Sequence, residues 1–308
     1  MIIIFTHKGN WRSYAYILQQ NINIKQESII LSKFNKKYFD EALVIIPLGI
    51  NSQVKLNKYP EYKSKFLIND KYTYKILDDK IKFYRFIKMH DLLKNSEIKM
   101  INTYDKSYDG LDKKGIFIVK HRNGLGSSCN KIIRGNLRNL IKKYGKNCQI
   151  QDVLNINRIN GVNCLCKDGE IISGLNFVTP GFIKNSYYSD NQEEYFEPMN
   201  PEHVKIMSRI VKKLNYNGFI EFEFLDDLKG DTYLLEANPR ISGNILCIME
   251  GGTIPFMTNL VDPYCCIIKN KIVKTLDYGE KCSITYHGKF KSPKSHVHKS
   301  GVMTFSEN

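Results

Sequence analysis

No apolar run in this 308-residue sequence approaches the roughly 18 residues a bilayer-spanning helix needs; the longest, such as 2–5 and 43–47, are strand-sized. The opening Met-Ile-Ile-Ile-Phe-Thr-His-Lys-Gly lacks the basic leader, longer apolar stretch and small-residue cleavage site of a secretory signal. A buried first strand, no membrane and a cytoplasmic location are the expectation. Cys-x-x-Cys spacing is also missing. Of the eight cysteines the close pairs are Cys164/Cys166 and Cys265/Cys266, and His296/His298 is isolated. Tetrahedral zinc usually draws on spaced pairs, so reduced, mostly buried thiols are expected. Arginine is scarce, with 8 among the 46 basic residues. The formal charge of +15 therefore rests on lysine, whereas nucleic-acid readers lean on arginine for bidentate contacts. No helix-turn-helix, zinc-finger or ribonucleoprotein motif accompanies it, and nucleic acid is not the expected partner.

What is present is an ordinary globular composition, 42% hydrophobic and 25% charged, long enough for about two domains. Over 1–77 short apolar runs at 2–5, 28–31 and 42–47 alternate with helical stretches, a rhythm that predicts a small α/β unit with a parallel sheet. No G-x-G-x-x-G follows its first strand. A helix is predicted over 78–93, with Asp78 and Asp79 at its positive end. A strand over 115–120, a loop His-Arg-Asn-Gly-Leu-Gly-Ser-Ser-Cys-Asn and a strand over 131–134 form a hairpin whose long polar loop suits a cover over a ligand. Residues 149–178 look β-rich, with a turn at Lys167-Asp168-Gly169-Glu170. The clearest helix spans 201–214, capped by Asn200 and opened by Pro201.

The most informative stretch follows. Ile220, Phe222 and Phe224 alternate with Glu221 and Glu223, so both carboxylates share a strand face and the aromatics take the other. If the chain turns around 228–231, Glu223 and Glu236 lie close on adjacent strands. Two neighbouring carboxylates repel unless a cation sits between them, and with the Asn238 amide they make an all-oxygen set suited to Mg²⁺. A solvated polar hairpin face is the commoner fate of strand glutamates, and spacing alone leaves both open. Gly124, Gly126, Ser127 and Ser128 can offer successive N–H groups to an anion, with Lys120 as a point charge for a phosphate. Alone, that loop is a weak signal.

Taken in order, Asp79-Lys80, the Lys120 strand with Gly-Leu-Gly-Ser, the Glu223 strand and Leu-Leu-Glu-Ala-Asn-Pro-Arg-Ile-Ser-Gly resemble the ATP-grasp superfamily of carboxylate-amine ligases. Glu-x-Asn-Pro-Arg-x-Ser-Gly, 13 residues beyond Glu223, is the most specific element. It is similar to the carbamoyl-phosphate synthetase, D-alanine ligase and D-aspartate ligase group. The resemblance covers about 78–262. It implies an α/β architecture, an α+β ATP-grasp fold after a small Rossmann-like α/β N-terminal domain. The expected divisions are 1–77, a first ATP-grasp subdomain with lid over 78–150, a second with the metal site over 151–268, and a basic tail over 269–308.

The resemblance also implies roles. Lys80 and Lys120 match the positions that contact nucleotide phosphates, and Gly124, Gly126, Ser127 and Ser128 match the lid. Gln151, Asp152, Val153 and Leu154 fall where a hinge pairs with adenine. Glu223, Glu236 and Asn238 match the Mg²⁺ ligands, a role Mn²⁺ can share, and Arg240 matches the arginine that steadies the transferred phosphoryl group. Lys120, Glu236 and Arg240 form the expected catalytic set. The ribose glutamate that usually follows the hinge is missing, leaving Asp152 or Asn160 as substitutes. Glu221 stands where D-alanine ligases carry a catalytic arginine, which disfavours that reaction. The implied activity is ADP-forming ligation of a small carboxylic acid, expected to be an amino acid and activated as an acyl-phosphate, to an amine. Alternatives are modification of an acidic protein or peptide, a carbamoyl-phosphate-synthetase-like reaction, or a non-catalytic nucleotide-binding module. Arg158, Arg209 and Arg240 are candidate carboxylate anchors, and a homodimer remains open.

Overall fold

The computed structural model describes residues 1–6, 11–22, 27–123, 130–180, 195–242 and 260–269. It opens on a parallel sheet of β1 (Ile2–Phe5), β2 (Ser28–Leu31) and β3 (Val44–Pro47) in the order β2-β1-β3. Every residue of the central β1 is buried, which is why it reads as an unbroken apolar run without alternation. Helices α1 (Trp11–Asn21) and α2 (Lys36–Glu41) link the strands, and α3 (Gly49–Leu56) leaves β3 through Gly49 at φ +62°.

Two short helices follow, α4 (Lys71–Leu77) and α5 (Lys80–Met89), capped by the carboxylates of Asp70 and Asp79. The helix expected over 78–93 is therefore shorter. Asp79 accepts from the N–H groups of Ile81 and Lys82 and fixes the start, while Asp91 at φ +50° turns the chain after the end. Leu92, off the helix, still reaches the core.

After β4 (Lys99–Met100), an antiparallel sheet forms from β5 (Thr103–Tyr104), β6 (Lys114–His121), β7 (Lys131–Asn136) and β8 (Cys148–Asp152), ordered β5-β8-β6-β7. Helix α6 (Leu137–Tyr144) covers one face through Leu137, Leu140 and Ile141 against Phe117, Val119 and Ile150. The largest sheet combines β9 (Ile156–Lys167), β10 (Glu170–Pro180), β11 (Tyr195–Glu197), β12 (Gly218–Asp227) and β13 (Thr232–Asn238) with β4, ordered β11-β10-β9-β12-β13-β4. Its β9–β10 turn sits at Asp168 and Gly169, both with positive φ, as a type I′ hairpin requires.

One face of this sheet carries Val162, Cys164, Cys166, Ile220, Phe222 and Phe224 beneath α5 and α7 (Pro201–Leu214). The opposite face packs Leu165, Leu175, Phe177 and Phe219 against Ile2, Ile4, Val44 and Ile46 of the parallel sheet and Tyr264 of α8 (Asp262–Ile268). Along β12 that second face changes from the apolar Phe219 to Glu221 and Glu223, so the acids emerge where the two sheets part. No helix among the described residues is long and apolar enough to cross a membrane.

One core residue is out of character. His203 of α7 is 2% exposed, stacks on Phe224 at 4.0 Å, and neither ring nitrogen has a partner among the described residues. Burial lowers its pKa from 6.5 to about 4, with Asp226 opposing. A folded pKa below the unfolded one means stability is complete above pH 6.5 and is lost as the pH falls towards 4, by up to about 3 kcal/mol. His203→Phe removes the orphaned polar atoms, so it is expected to stabilise the protein by about 1 kcal/mol at neutral pH. It should also flatten the acid limb. Thermal melts from pH 7.5 to 4.5 check this, and parallel wild-type and variant curves would refute it.

Candidate active site

Strand pairing assembles the acids. Glu223 lies directly opposite Glu236 and Glu221 opposite Asn238 across β12 and β13, with a bulge just beyond Glu223. Asn238 Nδ2 donates to Glu221 Oε2 at 3.3 Å, Glu223 Oε1 at 3.3 Å and Glu236 Oε1 at 3.2 Å. The amide nitrogen thus holds the point on which three carboxylates converge. A half-turn of that amide presents its oxygen instead, which leaves an all-oxygen set around the same point. Among the described residues no three Asp, Glu, His or Cys side chains alone form a metal-holding group. Two carboxylates and an amide, completed by water and phosphate oxygens, nevertheless suit Mg²⁺, which seldom takes an all-protein cage.

Two lysines meet the acids from the other side. Lys80 Nζ lies 2.6 Å from Glu236 Oε2, and Lys120 is only 5% exposed. Their elements are tied together. Arg122, just past β6, donates through Nε and Nη2 to the Asp79 carboxylate at 3.2 and 2.7 Å, and the Lys80 N–H donates to Arg122 O at 3.0 Å. A cap residue and an arginine therefore place the start of α5 beside the end of β6, which sets both ammonium groups near one another.

The electrostatics follow from that crowding. Burial pushes the Glu223 carboxyl well up, with the charges of Glu236 and Glu221 adding. Burial also opposes ionisation of Glu236, but Lys80 and Lys120 outweigh it and its pKa falls. Lys80 is raised because Glu236 overcomes the desolvation that works against it. Lys120 is pushed down to about 8 by burial, with Lys80 adding and Glu236 opposing. Burial raises Glu221 too, offset in part by Arg240 and Ser242. A cation bound beside Glu223 would relieve the burial and repulsion that raise its carboxyl.

Arg240 and Ser242 complete this edge. Ser242 Oγ donates to Glu221 Oε1 at 2.6 Å, and Arg240 Nη1 lies 3.5 Å from Glu221 Oε2. Arg240 also stands over the Trp11 ring, 5.5 Å from its centroid. The sequence reading did not single out Trp11, Arg122 or Ser242. Ser242 was within the quoted motif, whereas nothing local to Trp11 or Arg122 points to the site. Of the candidate anchors only Arg240 reaches it. Arg158 pairs with Asp226 and Glu197, and Arg209 donates to the carbonyls of Leu92 and Lys94.

The remaining candidates are distributed as follows. Gly124, Gly126, Ser127 and Ser128 lie outside the described residues. Gln151 is buried on the same sheet face as Lys120; its Nε2 donates to Thr103 Oγ1 at 3.1 Å while Oε1 is buried without a partner among the described residues. Asp152 accepts from Asn102, Tyr104 and Lys113 at 2.7–3.0 Å, so its carboxylate is already engaged. Asn160 donates to Asp226 and accepts from Asn176. Val153 is 37% exposed and Leu154 half-buried.

No family model and no curated protein matches the sequence. Solved structures do. D-alanyl-alanine synthetase A from Vibrio cholerae superposes with a TM-score of 0.58 at 12% identity, over 89% of this chain and 99% of its own. N5-carboxyaminoimidazole synthetase from Staphylococcus aureus gives 0.56 at 14% over 89% and 78%. The biotin carboxylase domain of 2-oxoglutarate carboxylase from Hydrogenobacter thermophilus, solved with MgADP and bicarbonate, gives 0.55 at 14% over 90% and 71%. At such identities the likeness is one of architecture, and it agrees with the motif order and the hairpin register: the chain has the ATP-grasp fold.

Proposed function

We propose that this protein is an ADP-forming ligase that activates a small carboxylic acid with ATP and joins it to an amine. The observation that carries the reading is the convergence of Glu223, Glu236 and Asn238 with Lys80 and Lys120 on one buried point. An all-oxygen group facing two ammonium groups is what a nucleotide triphosphate and its divalent ion require. Glu223, Glu236 and Asn238 would hold Mg²⁺, which when bound supplies Lewis-acid neutralisation of phosphoryl oxygens. The neighbour solved with MgADP is consistent with that assignment.

A carboxylate resists attack by an amine because oxide is a poor leaving group. Lys80 and Lys120 bind the phosphates and offset the charge that spreads over the transferred group, and Arg240 steadies that group at the site's outer edge. Once the γ-phosphoryl group has passed from ATP to the substrate carboxylate with release of ADP, the neutral amine attacks the carbonyl carbon, an amide bond forms, the C–O bond to phosphate breaks, and inorganic phosphate leaves with the proton that the amine gives up. Positioning and electrostatics supply most of the rate. The exposed Ile116 and Ile132 and the buried Gln151 share the Lys120 face of the antiparallel sheet, a surface that suits a flat heterocycle with one hydrogen-bonding edge. The divisions 1–77, 78–150 and 151–268 are the units that would close around substrate.

The test is ADP formation from MgATP with pooled carboxylic acids and amines, followed by mass spectrometry of the products. A condensed product formed with one ADP per bond supports the reading. ATP bound with no turnover against any pool, including acidic peptides, would replace it with a binding module.

A further inference from the structure

The Arg240 guanidinium is held to its own neighbourhood by a single nitrogen. Nη1 donates to Ile241 O at 3.1 Å and lies 3.5 Å from Glu221 Oε2, while Nε and Nη2 have no hydrogen-bond partner among the described residues. A planar group tethered at one corner can swing about it, and a second contact across an aromatic face removes that freedom. Trp11, the first residue of α1, makes this contact: the guanidinium carbon stands over the indole, 5.5 Å from the ring centroid, within the reach of a cation–π interaction.

The ring itself is fixed in place. A Cβ added at Gly49 would meet Trp11 Nε1 at 2.6 Å and the two carbons bonded to it, Cδ1 and Cε2, at 2.9 and 3.0 Å. Three adjoining ring atoms at such similar distances mean that the backbone at the start of α3 lies against the face of the indole and not its edge. The collision and the +62° dihedral together reserve this position for glycine. Tyr14, one turn along α1, leans on the indole at 4.9 Å and 43°. Helix α3 also seats the backbone beside Arg240: the buried Gln53 donates to Pro239 O at 2.8 Å and accepts from Tyr74 Oη at 2.6 Å. Two side chains of the parallel-sheet unit thus hold the Arg240 loop, one by a carbonyl and the other by the charge.

This hold decides where the rest of the guanidinium points. Trp11, Gly49, Ser52, Asp78, Asn238 and Arg240 are among the residues that line one cleft of about 450 Å³, and Asn238 joins that cleft to Glu223 and Glu236. The uncommitted N–H groups of Arg240 are the ones available to a phosphoryl oxygen at this junction. Resting on the ligase reading above, we infer that Trp11 is a positioning residue for phosphoryl transfer, fixing the plane of Arg240 from the parallel-sheet unit. Trp11 touches no reacting atom in this role. It acts through Arg240, and through it the first unit contributes to a site whose lysines, acids and amide all come from later elements.

The test uses the full-length protein with MgADP as the probe and aluminium fluoride in place of the transferred phosphoryl group. In calorimetric titrations of the wild type, aluminium fluoride should tighten MgADP. Trp11→Leu should lose at least ~10-fold of that gain while binding MgADP alone within about 2-fold of the wild type, and Trp11→Phe, which keeps a ring face, should recover most of it. Arg240→Met should lose the gain as well, and adding Trp11→Leu to it should cost nothing more. Trp11 is the sole tryptophan of the chain, so its emission should change when aluminium fluoride joins the MgADP complex of the wild type, and not in Arg240→Met. Melting curves confirm that each variant is folded. A full gain in Trp11→Leu, a Trp11→Phe no better than Trp11→Leu, or losses at Trp11 and Arg240 that simply add overturn the role of Trp11 and leave the ligase reading standing. A wild type that binds MgADP but gains nothing from aluminium fluoride sinks that reading, and the role of Trp11 with it.

Discussion

Replacing Glu236 with glutamine is expected to lower kcat by at least ~10³-fold, the scale seen when a group aimed at developing charge is removed, without unfolding the protein. Glu236 is the residue on which the site turns: it faces Glu223 across the strands, pairs with Lys80 at 2.6 Å and accepts from Asn238. Its loss leaves Lys80 without a partner but relieves the repulsion that pushes Glu223 up. These effects oppose, so the melting temperature should move by only a few degrees. Glu223→Gln makes the contrast. It removes the acid whose charge is least tolerated and keeps the Lys80 pair, so the free protein should be stabilised by about 1 kcal/mol while turnover is lost. Normal turnover in either variant would remove these residues from the site, and a melting temperature unchanged or lowered in Glu223→Gln would contradict the electrostatic account.

The second large effect is expected at Lys120, buried and with its pKa pushed down to about 8. Phosphate binding would restore its charge, so nucleotide binding by the wild type should take up a proton. ATP affinity should then weaken as the pH rises through about 8. Lys120→Met keeps much of the volume without the charge. It should weaken ATP by roughly 10- to 100-fold, the worth of a charge-assisted hydrogen bond, and abolish the pH dependence. The free variant should melt higher, because a buried ammonium held below its normal pKa opposes folding at neutral pH. Calorimetric titration with MgATP at pH 7 and pH 9 in buffers of different ionisation enthalpy reads affinity and proton uptake together. Identical ATP affinity at both pH values in the wild type would refute the role given to Lys120.

The strand carrying Glu221 and Glu223 was legible because strand geometry is periodic. Alternation with Ile220, Phe222 and Phe224 put the acids on one face, and the turn before Thr232 brought Glu236 opposite Glu223. The helix at Pro201–Leu214 was legible in its cap, proline and apolar stripe, and it ends on Asn215 in the left-handed conformation. Short elements escaped. β4 and β5 have two residues each, too few for any pattern, and α4 and α6 lean on capping side chains and neighbours for their existence.

By itself, then, the sequence determined which side chains share a face, where the chain reverses, and the ordered set of lysines, acids and asparagine that suits a nucleotide and its metal ion. These properties are local: they depend on spacing along one strand, one helix or one turn. Only the tertiary structure decided that Trp11 meets Arg240, that Asp78 and Ser52 line one cleft, that Arg122 fixes the start of α5 against β6, and that Arg158 and Arg209 serve the scaffold. Each of these joins residues far apart in the chain. Such meetings are set by how the apolar faces of three sheets pack, and no sequence spacing records them.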